Sequence, residues 1–295
     1  MNFLKSCLGK IAKGGAWLIW ISPLWVRKAL GSFLGLLWLD VFRIRRQIVK
    51  ENILRAFPQK SGAEAIRLGR KSLCHLGQNF VEYSFLPFMN KKNVHALVHV
   101  EGEENLRQAL AAEKGVLLMT LHLGHGDLAV GSLSLLGFPM VLVSKFFKLK
   151  WLNDLWFGMR EKLGTEFIPP RDSSFKLLKK LKAGKVVVIP LDQFTGPPIG
   201  VRTTFFGVET GTAMGWALMA FRSGARVVPA YTFRDAGGIH QIHLLPEVDM
   251  EPFRTGSDPG YEATQHLNHI LEDIVRKHPE QWMWIHRRWK KFVVQ

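Results

Sequence analysis

Cysteine is scarce in this sequence: Cys7 and Cys74 are the two in a chain of 295 residues. They form no metal-binding spacing, and two cysteines do not suggest a disulfide scaffold. We therefore expect a reducing compartment and a fold that depends on its hydrophobic core. A chain of this length can bury such a core as one large domain or as two small ones.

Acidic residues are also few, with 24 Asp and Glu against 40 Lys and Arg, which gives a net charge of +16. Such a chain can attract nucleic acid, anionic lipid or an acidic protein. A hydrophobic content of 47% with ten tryptophans is high for a soluble nucleic-acid binder. We expect an anionic membrane surface as partner and no nucleic acid, while a basic nucleic-acid-binding protein remains the non-enzyme alternative.

A long uninterrupted hydrophobic run is missing. Residues 14–42 are apolar and rich in tryptophan, but Arg27 and Lys28 divide them into two pieces of about a dozen residues, and a bilayer core needs about 20. Because charges in mid-membrane are costly, we predict that 1–42 forms membrane-associated helices lying in the interface, separate from 43–295. A single tilted span and a buried helical hairpin of a soluble protein remain alternatives.

Two further features accompany the apolar segment. Gly31 and Gly35 have the GxxxG spacing, which weakly indicates helix pairing. Positive charge follows directly and places this side of the segment on the cytoplasmic face, against anionic lipid. The residues concerned are Arg43, Arg45, Arg46 and Lys50.

The stretch that carries chemistry is 115–128, GVLLMTLHLGHGDL. Residues 116–121 are an apolar run typical of a buried strand, and 128–136 indicate a buried helix that ends at Gly137. His122 and Asp127 therefore lie on a tight turn after the carboxyl end of a strand, where open α/β sheets bind ligands.

Proton abstraction suits these two side chains. A histidine can take a proton from a hydroxyl near neutral pH, and a carboxylate on its other ring nitrogen fixes the tautomer. We predict that Asp127 holds His122 in this way, with backbone amides of the next helix near a developing oxyanion. Other interpretations stay open: Asp127 could cap the helix, His122 could be a core histidine, and both could ligate a metal with His125.

The remaining pattern predicts an α/β fold with a central, mostly parallel or mixed sheet flanked by helices. Asp192 and Gln193 follow the clearest of the strands, so polar groups again stand at the carboxyl end of a strand. Besides 116–121, the predicted strands are 94–100, 139–144, 166–168, 185–191 (the clearest, directly before Asp192), 225–233 and 239–245. Besides 128–136, the predicted helices are 62–86, 103–112, 149–163, 173–182, 212–221 and 261–277.

Four segments in this order resemble the lipid A biosynthesis (late) acyltransferases of the HX4D superfamily. They are HLGHGD (122–127), MREKLG (159–164), LDQFTGPPIGVRTTFFG (191–207) and HPEQWMWIHRRWK (278–290). The resemblance covers most of the chain and implies an acyltransferase catalytic domain at 43–295. It also implies a bacterial inner-membrane location and transfer of a fatty acyl chain from an acyl-carrier protein or coenzyme A thioester to a lipid A precursor.

The resemblance further implies roles for individual residues. His122 is expected to be the base and Asp127 its partner. Arg160, Asp192, Gln193 and Arg171 are expected to bind or organise substrate. The resemblance implies no metal and no cofactor apart from the thioester co-substrate, while acyl-carrier protein is expected as a transient partner.

Two departures from the family pattern bear on the substrate. Many of these enzymes have Glu at the position of Asp127 and an Asn-Trp pair at His125 and Gly126. The acidic-Gly-Thr motif of the glycerolipid branch is not found, which argues against a phosphatidic-acid-forming enzyme. The absence of a G-x-S-x-G elbow fits transfer without an acyl-enzyme. An acceptor such as an aminolipid, lysophospholipid or glycolipid remains an alternative, as does a catalytically silent scaffold.

Overall fold

The computed structural model describes residues 13–144, 148–169 and 174–293; the predicted site residue Arg171 lies outside these ranges. Within them, a seven-stranded sheet has the order β1-β9-β8-β2-β5-β3-β4, and its pairs are parallel except β8 with β9. The predicted α/β class with a mostly parallel, mixed sheet flanked by helices is confirmed. The strands of this sheet are β1 (Val98–Glu101), β2 (Val116–Thr120), β3 (Met140–Val143), β4 (Glu166–Ile168), β5 (Val186–Pro190), β8 (Arg226–Arg234) and β9 (His240–Leu244).

Helices cover both faces of the sheet, which explains why β2 is a continuous apolar run. Leu117 and Met119 pack into the core on one face, whereas Val116 and Leu118 pack into the core on the other. The helices are α1 (residues 13–21), α2 (Leu24–Leu36), α3 (Arg46–Ala56), α4 (Gly62–Glu82), α5 (Glu103–Ala111), α6 (Gly126–Leu135), α7 (Lys150–Glu161), α8 (Ser174–Lys182), α9 (Gly215–Ser223), α10 (Glu251–Arg254) and α11 (Pro259–Lys277).

The register of the central strands decides what meets at the sheet edge. β2 lies between β5 and β8 and runs parallel to both. Thr120 at the end of β2 is paired with Pro190 at the end of β5. Because the two strands end side by side, the segments that begin at His122 and at Asp192 leave the sheet next to each other.

The segment 200–213 differs from its prediction. The sequence predicted a helix at 212–221 and no strand in 192–211, but β6 (Gly200–Phe205) and β7 (Val208–Ala213) form an antiparallel hairpin and α9 begins only at Gly215. The two-residue turn has positive φ at both Phe206 and Gly207, as such hairpins require. Phenylalanine is an unusual residue at that first position, so the turn signal was weak.

The N-terminal helix α2 packs backbone to backbone against α4. A Cβ at Gly31 would overlap Gln78, one at Gly35 would overlap the backbone of Leu73, and one at Gly77 would overlap Gly31. The GxxxG spacing therefore serves a helix pair within the chain. Within the described residues, no helix combines the length and the apolarity needed to cross a membrane.

The opposite side of α1 and α2 faces solvent with large apolar side chains. Trp25 is 71% exposed and Phe33 is 59% exposed, so α2 is not a buried hairpin segment. The two charged residues that divide the apolar segment contact other parts of the chain. The Arg27 guanidinium lies 5.1 Å from the centre of the Phe85 ring, and Lys28 donates to the carbonyl of Ala236 at 2.8 Å. The division of the chain at residue 42 and the membrane association of 1–42 stay predictions.

Candidate active site

A cavity of about 460 Å³ lies at the carboxyl edge of the sheet, next to the turn that follows β2. Its wall combines apolar side chains from the sheet and from α6 with a small group of ionisable side chains. The apolar part includes Leu118, Val130, Leu133, Leu142, Val188 and Ile242, and the ionisable part includes Tyr83, His122, Asp127 and Arg160. An apolar cavity with a few convergent polar groups is the usual form of a small-molecule binding site.

His122 is held by Asp192. The His122 Nδ1 lies 2.7 Å from Asp192 Oδ1, and the His122 backbone N–H donates to Asp192 Oδ2 at 2.9 Å. Trp282 Nε1 donates to the same Oδ2 at 2.7 Å. Asp192 is 3% exposed, so this carboxylate is buried and each of its oxygens is bonded.

The pair shifts the pKa of both groups. Burial alone would lower the pKa of His122, but the Asp192 carboxylate outweighs burial and raises it above 6.5. Burial would raise the pKa of Asp192, but His122 and the Trp282 N–H lower it to about 2. Asp192 is therefore ionised at neutral pH and stabilises a proton on His122.

This contact also selects the tautomer of His122. An ionised carboxylate only accepts, so Nδ1 carries the hydrogen and Nε2 is left as the basic nitrogen. Gln193 Nε2 lies 3.2 Å from His122 Nε2 and 3.4 Å from His122 Nδ1, so the amide lies beside both ring nitrogens and is not aligned with the lone pair of one. Gln193 thus contacts the imidazole of His122 directly.

The predicted contact between Asp127 and His122 is wrong. Asp127 lies in the first turn of α6 and accepts from Tyr83 Oη at 2.6 Å and from Arg160. Five residues across a glycine turn let both side chains line the cavity, but the ring nitrogen of His122 is occupied by the carboxylate from β5. Asp127 remains close enough for its charge to raise the pKa of His122 further.

Arg160, from the last turn of α7, lines the same cavity. Its guanidinium lies 4.5 Å from the centre of the Phe167 ring and 5.2 Å from that of Trp156. Arg160 is 4% exposed, and among the described residues its Nη1 has no hydrogen-bond partner. A buried guanidinium that lines a cavity and has one unpaired nitrogen retains a donor for an anionic group.

The alternative of a metal site is not supported. The imidazole of His125 caps α6, because its Nδ1 accepts from the backbone of Leu128 at 3.3 Å, and burial lowers its pKa to about 3. His122 and Asp127 point to different partners, and no group of three metal-binding side chains occurs in the part of the chain that the structure describes. The capping role considered for Asp127 therefore belongs to His125.

The C-terminal tail closes the site from the other side. Met283 N–H donates to the His122 carbonyl at 3.0 Å, and Gly124 N–H donates to the Gln281 carbonyl at 3.2 Å. Sequence reasoning singled out this tail but did not assign Trp282 to the carboxylate or Tyr83 to Asp127. Only the family resemblance of the tail pointed to Trp282, and nothing in the local pattern pointed to Tyr83.

The structure thus brings together five of the six predicted site residues, in two groups. His122, Asp192 and Gln193 form one group at the ends of β2 and β5. Asp127 and Arg160 form the second, with Tyr83. His122, Asp127, Arg160 and Tyr83 line the cavity of about 460 Å³. Asp192 and Gln193 adjoin it through their contacts with His122.

Comparison with known proteins identifies the family of this chain. The family model described as "Bacterial lipid A biosynthesis acyltransferase" matches residues 4–291. The chain is 28% identical to the lipid A biosynthesis lauroyltransferase of Escherichia coli K12 over 94% of its length and 89% of that protein. It is 26% identical to the palmitoleoyltransferase of the same organism (93% and 91%) and 26% identical to a phosphatidylinositol mannoside acyltransferase of Mycobacterium tuberculosis (82% and 76%).

Proposed function

The chain belongs to the bacterial lipid A biosynthesis acyltransferase family, and on that premise we propose that it moves a fatty acyl chain from a thioester to a hydroxyl of a lipid A precursor. The observation that carries the proposal is the His122–Asp192 pair at an apolar cavity. The donor is acyl-carrier protein or coenzyme A carrying the acyl group, and no further cofactor takes part.

The pair performs general base catalysis. His122 Nε2 accepts the proton of the acceptor hydroxyl, while Asp192 keeps the hydrogen on Nδ1 and stabilises the imidazolium. The alkoxide oxygen bonds to the thioester carbonyl carbon, the carbon–sulfur bond breaks, and the imidazolium returns its proton to the departing thiolate. No covalent acyl-enzyme is needed, and the N-terminus of α6 lies nearby to favour the developing oxyanion.

The acyl chain occupies the apolar part of the cavity. Of the two apolar segments considered for this role, 128–136 contributes Ala129, Val130 and Leu133 to the cavity wall. The other segment, 212–221, places Trp216 and Ala220 in the core on the opposite face of the sheet, so we assign the chain to the first. Burial of each methylene in such a site contributes about 0.8 kcal/mol.

The acceptor is bound through Arg160. A lipid A precursor presents phosphates, and the unpaired Nη1 of Arg160 supplies a donor of matching charge. Asp127 and Tyr83 orient this arginine from the other side. In this proposal Asp127 acts on the substrate through Arg160, and not on the proton transfer through His122.

Two surfaces serve the partners. The exposed apolar side chains of α1 and α2, with Phe80 at the cavity, bind the cytoplasmic face of the bacterial inner membrane. The helix α8 exposes Lys176, Lys179 and Lys182, which suit an acidic carrier protein. Activity with the carrier-protein donor should therefore decline as ionic strength rises.

The test is transfer by the purified protein in lipid-containing detergent micelles. Acyl-carrier protein or coenzyme A carrying a radiolabelled acyl group is offered with a lipid A precursor, and products are identified by mass spectrometry. His122→Ala should reduce turnover by at least about 10²-fold. His95→Ala, at an exposed histidine outside the cavity, is the matched control and should leave the rate unchanged. Wild-type-like turnover of His122→Ala removes this histidine from the mechanism.

A glycolipid acceptor is the second candidate. It is favoured by the relative named phosphatidylinositol mannoside acyltransferase, which matches 82% of this chain. Offering both acceptors to the same preparation, together with the lipid profile of a strain lacking the gene, separates the two. Unchanged lipid A in that strain rules out the first candidate in the cell.

A further inference from the structure

We infer that Asn79 is a positioning residue for acyl transfer: it holds the peptide of Gly124 and so fixes the turn that carries His122. The inference rests on the proposed role of His122 as the base. Asp192 controls the ring of His122, but the backbone of the turn must also be held, because Nε2 moves with it.

Gly124 lies at the centre of the turn, and both of its backbone groups are bonded. Asn79 Nδ2 donates to the Gly124 carbonyl at 2.6 Å, and the Gly124 N–H donates to the Gln281 carbonyl at 3.2 Å. Gly124 has φ +61°, and a Cβ there would overlap the carbonyl of Thr232. The turn is therefore clamped between α4 on one side and the C-terminal tail on the other.

Arg234 sets the orientation of the Asn79 amide. Its Nη2 donates to Asn79 Oδ1 at 2.7 Å. Arginine has donors only, so the oxygen of the amide must face Arg234 and the NH₂ group must face Gly124. Asn79 is 8% exposed, and the amide is thus locked in the one orientation that supports the turn.

Arg234 is itself buried and rigidly held. It is 3% exposed and is neutralised by Glu82, which also accepts from His240. The Gln281 side chain accepts from the backbone N–H of Arg234 and donates to its carbonyl, both at 2.8 Å. Asn79 and Gln281, which hold the two backbone groups of Gly124, are therefore both bonded to Arg234.

Loss of the hydrogen bond from Asn79 to Gly124 should lower the rate of acyl transfer more than it lowers the stability of the fold. A displacement of about 1 Å at a catalytic group can cost about 10²-fold in rate. The neighbouring Gln78 provides a control, because its Oε1 also accepts from Arg234, at 3.0 Å, and it is equally buried. Among the hydrogen bonds of the described residues, none joins the Gln78 side chain to the turn.

The experiment compares Asn79→Ala, Asn79→Asp and Gln78→Ala in the full-length protein. Asn79→Asp keeps an acceptor for Arg234 but replaces the donor to Gly124 by a carboxylate oxygen that repels the Gly124 carbonyl, so it serves as a second variant if Asn79→Ala folds poorly. We expect kcat to fall about 10-fold or more in both Asn79 variants, with the KM for the thioester within about twofold. Gln78→Ala should remain within about twofold of wild type in both constants.

A substrate-free readout accompanies the kinetics. The pKa of His122 is followed by NMR titration of ¹³C-labelled histidine, with the His122→Ala spectrum as assignment. A displaced turn weakens the contact with Asp192, so the pKa of His122 should fall in Asn79→Ala and stay unchanged in Gln78→Ala.

The outcomes separate the two hypotheses. Wild-type kcat in Asn79→Asp, or equal losses in Gln78→Ala and Asn79→Ala, overturns the positioning role. An unchanged pKa of His122 in Asn79→Ala also overturns it. A wild-type protein that transfers no acyl group, while this pKa still falls in Asn79→Ala, refutes the proposed function and leaves the positioning of His122 intact.

Discussion

Replacing Asp192 by Asn should disable the base without disturbing the site around it. Asn has the same shape, but one of its two terminal atoms is a donor. Oδ2 of Asp192 receives two N–H groups, from Trp282 and from the His122 backbone, so the amide oxygen must face them. The NH₂ group then faces His122 Nδ1 and forces that nitrogen to accept.

The ring would thus switch tautomer and carry its hydrogen on Nε2, where the acceptor hydroxyl needs a lone pair. A wrong tautomer of a catalytic histidine costs about 10⁴-fold in kcat in serine proteases. We expect a decrease of about 10³-fold or more here, equivalent to about 4 kcal/mol. The KM for the thioester should stay within about twofold, since Asp192 does not touch the acyl chain in the proposed arrangement.

Initial rates measured from about pH 5 to pH 9 test this reasoning. In the wild type the pKa of His122 is raised by Asp192 and also by Asp127, so the acid limb of kcat/KM should lie above pH 6.5. Loss of the Asp192 charge should move that limb to lower pH. Asp235→Asn, at another hydrogen-bonded carboxylate outside the cavity, is the control and should retain wild-type turnover. An Asp192→Asn variant that keeps more than a tenth of wild-type kcat refutes the assignment of Asp192.

Three other predictions concern stability and substrate binding. Burial lowers the pKa of His125 to about 3 and that of His75 to about 4. The stability that these neutral histidines contribute is therefore complete above pH 6.5 and is lost as the pH falls toward 4. Scanning calorimetry should show a Tm lower by roughly 5 °C or more at pH 4.5 than at pH 7. Gly77→Ala should cost about 1–3 kcal/mol in urea unfolding because its methyl group overlaps α2, whereas Gly158→Ala, with open space at Cβ, should be neutral or stabilising. Arg160→Lys should raise the KM for the lipid acceptor about 10-fold with less effect on the thioester KM, and equal effects on both would contradict the acceptor role.

Much of the fold followed from local patterns. The apolar run before His122 predicted a buried strand, and the polar residues after it predicted a ligand site at the strand end; β2 and the cavity confirm both. The helix pair of α2 and α4 had a weak signal in Gly31 and Gly35, but its partner could not be read from the spacing. The β6–β7 hairpin was missed because its turn uses Phe206 where asparagine or aspartate is usual.

The residue pattern alone shows which side chains are available and which strand end each of them follows. It placed His122 and Asp127 on one turn and Asp192 after another strand, and its motifs carried the family. That Asp192, and not Asp127, holds His122 became visible in the folded chain. The reason is that the pairing order of parallel strands is a long-range property: β5 lies beside β2 in register Thr120 to Pro190, and that contact between residues 70 positions apart leaves no trace in local periodicity.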